Sequence, residues 1–249
     1  MVDFEGAVKY SSISENYLKN NQNFNLLTAL EYKVLSEFYI GNYSKSLSDI
    51  ENLLSINVIN KFPFKKAKAI YFKAVTLFIT GDYKHAGTLL YNINEIEKDK
   101  EGWNVWIRIL RILSSVEMLR LSMIEYDVES FRKYMIRTAE RSDVRERDRL
   151  VLKVLLELDR QEYDFKATAK IRKKTLEKLA SLDPLIRWEP KSPELVLFHD
   201  WFEAKVEDRE YSPSFDIYKN AAMKASKKQD ESMQKQHDMQ QLSLDLNVP

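Results

Sequence analysis

Two copies of a short turn-like triplet constrain the fold of this chain more than any other feature. The copies are Gly41-Asn42-Tyr43 and Gly81-Asp82-Tyr83. Each stands between two runs of apolar residues at helical spacing, and glycine ends helices because it adopts a positive φ without strain. Near-repetition at a fixed period is typical of stacked helical hairpins. We therefore predict an all-α fold of stacked antiparallel helical hairpins.

The distribution of turn-forming residues supports long helices. The chain has 249 residues with five glycines and six prolines, and none of these lies between Trp103 and Asp183. Such a span predicts helices joined by short polar loops. No cysteine is present, which excludes a disulfide scaffold, thiolate metal sites and cysteine catalysis. The net charge of +1 provides no overall field toward nucleic acid or membrane.

Apolar spacing predicts the individual helices. Their ranges are 3–20, 24–40, 44–56, 64–80, 83–97, 101–123, 144–160 and 163–181. Asp127 is predicted to cap a further helix, since a short acidic side chain satisfies free amides at a helix start. The segment 184–190 breaks the helical pattern, and Pro193 is predicted to begin a final helix.

The two turns are followed by a small residue five positions after each glycine, Ser46 and Ala86. A small residue there lets two helices approach closely, and the aromatic residue two positions after the glycine, Tyr43 or Tyr83, can pack back between them. This pattern resembles the tetratricopeptide repeat over about residues 27–97, which implies an α-solenoid that binds proteins or peptides.

The sequence departs from that repeat in two ways. The glycines are 40 residues apart rather than 34, and Val34 and Ala74 occupy the small positions of the first helices. Looser packing is expected there. A third copy without glycine is predicted at 123–127, with Ser130 at its small position.

The second half of the chain is similar to uncharacterised helical-repeat proteins of Bacteroidota. The similarity lies in the stretches 103–119, 128–134 and 188–201. It implies a repeat fold and no particular activity. A generic helical bundle is the alternative architecture.

We predict a repeat domain over 1–207 and a flexible tail over 208–249. Between Lys219 and Gln240 the chain has no Ile, Leu, Val, Phe, Trp or Tyr. Such a segment cannot bury enough apolar surface to offset its ordering entropy. We interpret it as a disordered tether for the last residues of the sequence.

The tether leads to Gln241-Leu242-Ser243-Leu244-Asp245-Leu246. This hexapeptide resembles the motif by which bacterial proteins dock on the DNA-polymerase sliding clamp. The resemblance implies that Gln241 forms a hydrogen bond there and that Leu242, Leu244 and Leu246 fill apolar pockets. The same leucines resemble a plant peptide that recruits Topless-type corepressors. A third interpretation is that the peptide folds back on the repeats as an end cap.

Residues that could carry catalysis are few. Of the three histidines, His85 is expected on the surface and His237 lies in the tether. His199 could act as a base or metal ligand with Glu189 or Glu203, but a structural role is the preferred interpretation. We predict no catalytic residue, no metal site and no cofactor, and therefore not an enzyme.

A basic stretch covers 166–178, with one acidic residue, Glu177. Its cations include Lys166, Lys170, Arg172, Lys173 and Lys174. It could form a groove for nucleic acid. The preferred interpretation is a solvated face with ion pairs between residues four apart, such as Glu177 with Lys173.

These patterns together predict a protein–protein interaction scaffold that binds a protein or peptide on its helical surface. The first residues, 1–5, lack the features of a signal peptide, and no run of 18 apolar residues is present. We therefore expect a cytoplasmic protein without a membrane partner. An adaptor tethered to the sliding clamp and a nucleic-acid binder are the alternative functions.

Overall fold

The computed structural model describes residues 3–18, 20, 23–97, 99–140, 144–190 and 192–215. Residues Phe4–Pro213 form one compact unit. The tail peptide with Gln241, Leu242, Leu244 and Leu246 lies outside the described residues. The predicted boundary between residues 207 and 208 remains a prediction.

All regular structure in the described residues is helical, which confirms the all-α fold. The helices are α1 Phe4–Leu18, α2 Phe24–Tyr39, α3 Tyr43–Ser55, α4 Pro63–Ile79, α5 Tyr83–Tyr91, α6 Trp103–Glu117, α7 Leu121–Ala139, α8 Glu146–Arg160, α9 Phe165–Ile171, α10 Lys173–Ala180 and α11 Phe198–Glu207, with a 3₁₀ turn at Asn57–Lys61. Within the described ranges, no helix has both the length and the apolar character needed to cross a membrane.

The turns at Gly41 and Gly81 join α2 to α3 and α4 to α5 with the same geometry. Both glycines have a positive φ, +82° and +83°. The amide of Gly41 donates to the Phe38 carbonyl at 3.0 Å, and that of Asn42 donates to Glu37 at 2.8 Å. The second turn repeats both bonds from Gly81 and Asp82, at 3.1 and 2.8 Å. These two bonds satisfy carbonyls that the helix end leaves free.

The side chains around the two turns also correspond. The ring of Tyr43 packs edge-on against Phe38 at 5.5 Å, and Tyr83 packs in the same way against Phe78 at 5.2 Å. Ser46 and Ala86 are fully buried. The Ser46 hydroxyl donates to a carbonyl of the facing helix, that of Val34, at 3.1 Å. Each hairpin is thus closed by one aromatic and one small residue.

Two further turns have the same pair of bonds without glycine. Leu119 joins α6 to α7 with φ +52°, and Glu162 lies between α8 and α9 with φ +51°. The amides of Leu119 and Arg120 donate to Val116 and Ser115, both at 3.0 Å. The amides of Glu162 and Tyr163 donate to Asp159 and Leu158 at 3.1 and 2.9 Å. The turn therefore joins two helices four times in the described chain. It also ends α11 at Asp208, where the amides of Asp208 and Arg209 donate to Lys205 and Ala204 at 3.4 and 3.0 Å.

The predicted third copy at 123–127 is wrong, because these residues lie inside α7. Ser130 also lies within that helix, and the predicted helix 101–123 is divided by the turn at Leu119. Asp127 is not a helix cap. Its buried carboxylate accepts a hydrogen bond from the hydroxyl of Tyr91, so its polar partner comes from a neighbouring helix rather than from the amides of its own.

Two predicted helices are shorter than expected. The helix predicted over 83–97 ends at Tyr91, because Asn104 binds the amide and carbonyl of Ile96 at 2.9 and 2.8 Å and holds that segment extended. The spacing of Ile93 and Ile96, both buried, imitates a helix. The helix predicted over 163–181 is interrupted at Arg172.

The hairpins stack in chain order within the unit Phe4–Pro213. Each second helix packs on the first helix of the next hairpin, α3 on α4, α5 on α6 and α7 on α8. The first helices also pack on one another, α2 on α4 and α4 on α6, while α1 lies against α2. This order gives the stack one face formed by first helices and another formed by second helices.

Replacing Leu119 with glycine is expected to stabilise the chain by roughly 0.5–1 kcal/mol. Its side chain is 82% exposed and its φ is positive, so the substitution removes backbone strain and little contact. Urea unfolding measures the effect. Tyr126→Gly, at an exposed position inside α7, is the control and should destabilise by a similar amount. Equal destabilisation by both substitutions would contradict the strain argument.

Candidate functional site

The face of the first helices is the natural candidate for a binding surface, because repeat stacks bind partners along extended faces. Tyr39 of α2, Tyr71 of α4 and Arg147 of α8 are all buried on this face. All three bind one irregular segment of the same chain. We call that segment, residues 186–190 and 192–197, the covering segment.

The covering segment is held by side chains from distant helices. The hydroxyl of Tyr39 donates to the Pro190 carbonyl at 2.8 Å, and that of Tyr71 donates to the Pro193 carbonyl at 2.7 Å. The Trp188 ring packs edge-on against Tyr39 at 5.8 Å. The segment therefore lies across α2 and α4.

The prediction that Pro193 begins the final helix is wrong, because α11 begins at Phe198. Residues 192–197 are buried throughout, so they have no solvent face of the kind an amphipathic surface helix requires. Several of their backbone groups bind side chains instead, including the Leu197 amide, which donates to the Tyr211 hydroxyl at 2.8 Å. The predicted break at 184–190 is confirmed.

A buried ion pair anchors the covering segment to α8. Glu194 has no exposed surface, and its carboxylate accepts hydrogen bonds from Nε and Nη2 of Arg147. Arg147 Nη1 also donates to the carbonyls of Leu179 and Ile186 at 2.7 and 3.0 Å. The Phe198 amide donates to Glu194 at 3.2 Å, so the same carboxylate binds the start of α11. Both charges thus have the additional partners that burial demands.

A second ion pair lies at the start of α8. Asp148 is buried and accepts two bonds from Arg145, both at 2.8 Å, and one from Trp106 Nε1 at 3.0 Å. Burial raises the pKa of Asp148, against the opposing effect of Arg145. Arg145 also reaches the Ser192 hydroxyl at 3.4 Å. A side chain at Gly102, whose φ is +84°, would place its Cβ 3.2 Å from Arg145, so that glycine leaves room for the pair.

His199 lies beside the buried Arg147–Glu194 pair. Its Nδ1 is 3.4 Å from Arg147 Nη2, and burial lowers the pKa of the imidazole to about 4. Glu189 pairs with Arg187 at 2.7 Å, and Glu203 lies 3.9 Å from Arg209. In the described part of the chain, no three acidic or histidine side chains are arranged to hold a metal ion. His85, by contrast, is 71% exposed and contacts Asp82.

The basic stretch does not form the expected ion pairs with its own acidic residue. Arg172 pairs with Glu157 of α8 at 2.6 Å. Glu177 makes no ion pair with Lys173 or Lys174 in the described chain. The expectation of a face with internal pairs is therefore wrong for this stretch, and Lys166, Lys170, Lys173 and Lys174 all extend into solvent.

An open groove lies between α10 and α11 at the end of the unit Phe4–Pro213. It has a volume of about 300 Å³. Apolar or small side chains form most of its lining, with charged residues at the rim. The lining residues are Ala169, Lys173, Leu176, Glu177, Ala180, His199, Phe202, Glu203 and Val206. We call it the end groove.

Comparisons with known proteins leave the family of the chain unassigned. No family model matches it, and no solved structure matches it. A probable phosphoribomutase of Schizosaccharomyces pombe is 28% identical over 137 residues, which is 55% of this chain and 23% of that protein. The chain thus spans about a quarter of the length of the curated relative it matches.

Sequence reasoning did not identify Tyr39, Tyr71, Arg147 or Glu194 as residues that act together. The visible signal was the run Glu194 to Phe198, in which a single acidic residue precedes four apolar ones without a polar face. In the covering segment, the hydrogen-bond partners of Tyr39, Tyr71 and Arg147 lie 151, 122 and 47 residues farther along the chain. No local pattern connects residues at such separations.

Proposed function

We propose that this chain is a non-enzymatic scaffold of the tetratricopeptide-repeat type that binds a protein or peptide partner on its helical surface. The four recurring turns, each with the same two backbone hydrogen bonds, are the observation that carries the proposal. Hairpins stacked in this way present long continuous surfaces, and such surfaces are used for binding. We place this function in the cytoplasm.

The covering segment bears on where the partner binds. Tyr39, Tyr71 and Arg147 already hold an extended stretch of the chain itself. A partner that used these same groups would have to displace a buried segment. We therefore propose that the partner binds an exposed part of the helical surface.

Affinity capture with the full chain, followed by reconstitution from purified components, tests this function. We expect a saturable complex measurable by calorimetry, retained when residues 236–249 are removed. A phosphoribomutase assay on the same protein tests the enzymatic alternative, because the protein that the chain partly matches is described as a probable phosphoribomutase. Turnover in that assay without a saturable complex would overturn the proposal.

The second candidate function is an adaptor tethered to the sliding clamp. It is favoured by the pattern Gln-Leu-x-Leu-x-Leu, which all four defining residues of 241–246 match. A peptide covering 236–249 is expected to bind purified clamp, and Leu244→Ala or Leu246→Ala is expected to weaken that binding. Equal binding by the substituted peptides, or none by the original, contradicts this candidate.

A further inference from the structure

Helix α1 has one side that packs on α2. The ring of Phe4 stacks on that of Tyr39, with 4.5 Å between their centroids. Glu15 pairs with Lys33 at 2.7 Å, and Leu18 packs against buried leucines of α2. At 3.6 residues per turn, positions 4, 15 and 18 fall within about 60° of one another on the helix. This inner side attaches α1 to the stack.

The opposite side of α1 is apolar as well. Tyr10, Ile13 and Tyr17 are 68%, 46% and 84% exposed. They also fall within about 60° of one another, and they point about 140° away from the inner side. A surface helix normally turns polar residues to solvent, and the outer face of a repeat stack is polar when nothing covers it. We call Tyr10, Ile13 and Tyr17 the outer stripe.

We propose that the outer stripe is the interface of a weak homodimer, in which α1 packs antiparallel on α1 of a second copy of this chain. The inference goes beyond the proposed scaffold function, because it concerns self-association rather than the partner. A dimer of this kind joins two stacks and presents each binding surface twice, which strengthens the binding of any partner that has two matching sites.

The sequence of α1 is complementary to itself in this arrangement. Positions 6, 10, 13 and 17 have the alternating spacing of four and three residues that helices use to pack along a seam. A two-fold axis that passes between residues 11 and 12 places Tyr10 opposite Ile13 of the second copy, and Tyr17 opposite Gly6. Glycine has no side chain, so it leaves room for the tyrosine ring. All four residues are uncharged, and the pairing therefore brings no like charges together.

The end groove is a less suitable site for the outer stripe of a second copy. Three charged residues line that groove, Lys173, Glu177 and Glu203, whereas the stripe has none to pair with them. Contact between two different surfaces also leaves one of each free, so it continues into a filament unless a ring closes. Contact between two outer stripes is complete in a dimer.

The exposed area of the stripe sets the expected affinity. A tyrosine buries about 150–250 Å² when it is fully covered. With the exposures given above, two copies of the stripe bury roughly 600–1,000 Å² in total. Stable complexes bury about 1,200–2,000 Å², and weak ones less. We therefore expect a dimer with a Kd on the order of 10–100 µM.

Sedimentation equilibrium of the full chain between about 1 and 300 µM measures this Kd. The average mass should rise from that of one chain toward that of two and not beyond. Ile13→Glu places two carboxylates near the two-fold axis and should raise the Kd at least about tenfold. The matched control is Ile136→Glu on α7, where the side chain is 49% exposed, and its Kd should stay within about twofold of the original.

The orientation of the two helices is tested by cross-linking, since the chain has no cysteine of its own. Ile13→Cys lies next to its equivalent across the axis and should form an interchain disulfide quickly under mild oxidation. In the antiparallel pair the two copies of residue 17 are about 16 Å apart along the helices. Tyr17→Cys should therefore cross-link at least about tenfold more slowly. Circular dichroism melts show that each variant remains folded.

Four results would overturn the inference. A single-chain mass throughout the concentration range excludes the dimer, and masses above that of two chains indicate open association instead. An unchanged Kd for Ile13→Glu, or an equal loss in Ile136→Glu, places the contact elsewhere on the surface. Cross-linking of Tyr17→Cys as fast as Ile13→Cys indicates parallel helices. Outer stripes that bind a different protein while the chain itself stays monomeric give the first of these results.

Discussion

Replacing Glu194 with alanine is expected to lower the free energy of unfolding by about 3–5 kcal/mol. The substitution leaves the guanidinium of Arg147 buried without its carboxylate, and an uncompensated buried charge costs about that much. It also removes the acceptor for the Phe198 amide at the start of α11. Urea unfolding monitored by tryptophan fluorescence measures the loss.

The control substitution lies in the same covering segment. Glu189 pairs with Arg187, and the two side chains are 53% and 33% exposed. Glu189→Ala should therefore cost under about 1 kcal/mol, since exposed ion pairs contribute little. A similar loss in both variants would show that the segment tolerates no substitution, and that the charge of Glu194 is not the cause.

A double substitution separates charge from packing. Arg147→Met combined with Glu194→Gln removes both charges, and the two losses should not add, with an interaction free energy of roughly 1–3 kcal/mol. Arg147 also donates hydrogen bonds to the carbonyls of Leu179 and Ile186, so part of the loss of stability will remain in the double variant. Additive losses would contradict a direct interaction between these two side chains.

The fold class could be predicted from the sequence, but only two of the four turns between helices could be located from it. Gly41 and Gly81 mark two turns because glycine is favoured at positive φ. Leu119 has a positive φ without any such mark, and so do Glu162 and the following Tyr163. A single residue in this conformation costs about 1 kcal/mol, which the packed helices on both sides can impose. Propensity alone therefore could not locate the later hairpins.

The covering segment shows a second limit of local reasoning. Leu195, Leu197 and Phe198 have the apolar character expected of a helix packed on a core, and Pro193 is acceptable at a helix start. What keeps residues 192–197 out of a helix is the set of partners that Tyr71 and Tyr211 provide for their backbone. These hydrogen bonds form only after the stack is assembled, and no periodic pattern in the sequence predicts them.

The basic stretch was recognisable by composition, but its pairing was not. Arg172 is bound to Glu157, 15 residues earlier in the chain, while the lysines four apart on α9 and α10 remain without such partners. Sequence spacing favoured pairs between Glu177 and Lys173, and these do not form in the described structure. Which cations are available to a partner depends on how α8 packs against α9.

The stability of the chain is expected to decrease as the pH falls from about 7 to about 4, with His199 responsible for much of the change. Burial lowers the pKa of His199 from 6.5 to about 4, with a smaller contribution from Arg147, while Glu194 and Asp200 oppose it. Between these two values the unfolded chain binds a proton that the folded chain excludes. The contribution of the neutral His199 to the free energy of unfolding is fully present above pH 6.5. As the pH falls to about 4, roughly 3 kcal/mol of it is lost.

Replacing His199 with glutamine isolates this contribution. The free energy of unfolding of both proteins is measured with urea at several pH values between 4 and 8. Plotted against pH, the two curves should be parallel above pH 7 and converge below it, because the variant has no imidazole to protonate. Burial also raises the pKa of Asp127 and Asp148, but these groups are present in both proteins and cancel in the difference. Curves that remain parallel down to pH 4 would mean that the imidazole takes up a proton as readily in the fold as in water. In that case a charged His199 would be tolerated beside Arg147, and the ion pair that holds the covering segment would be less enclosed than its geometry indicates.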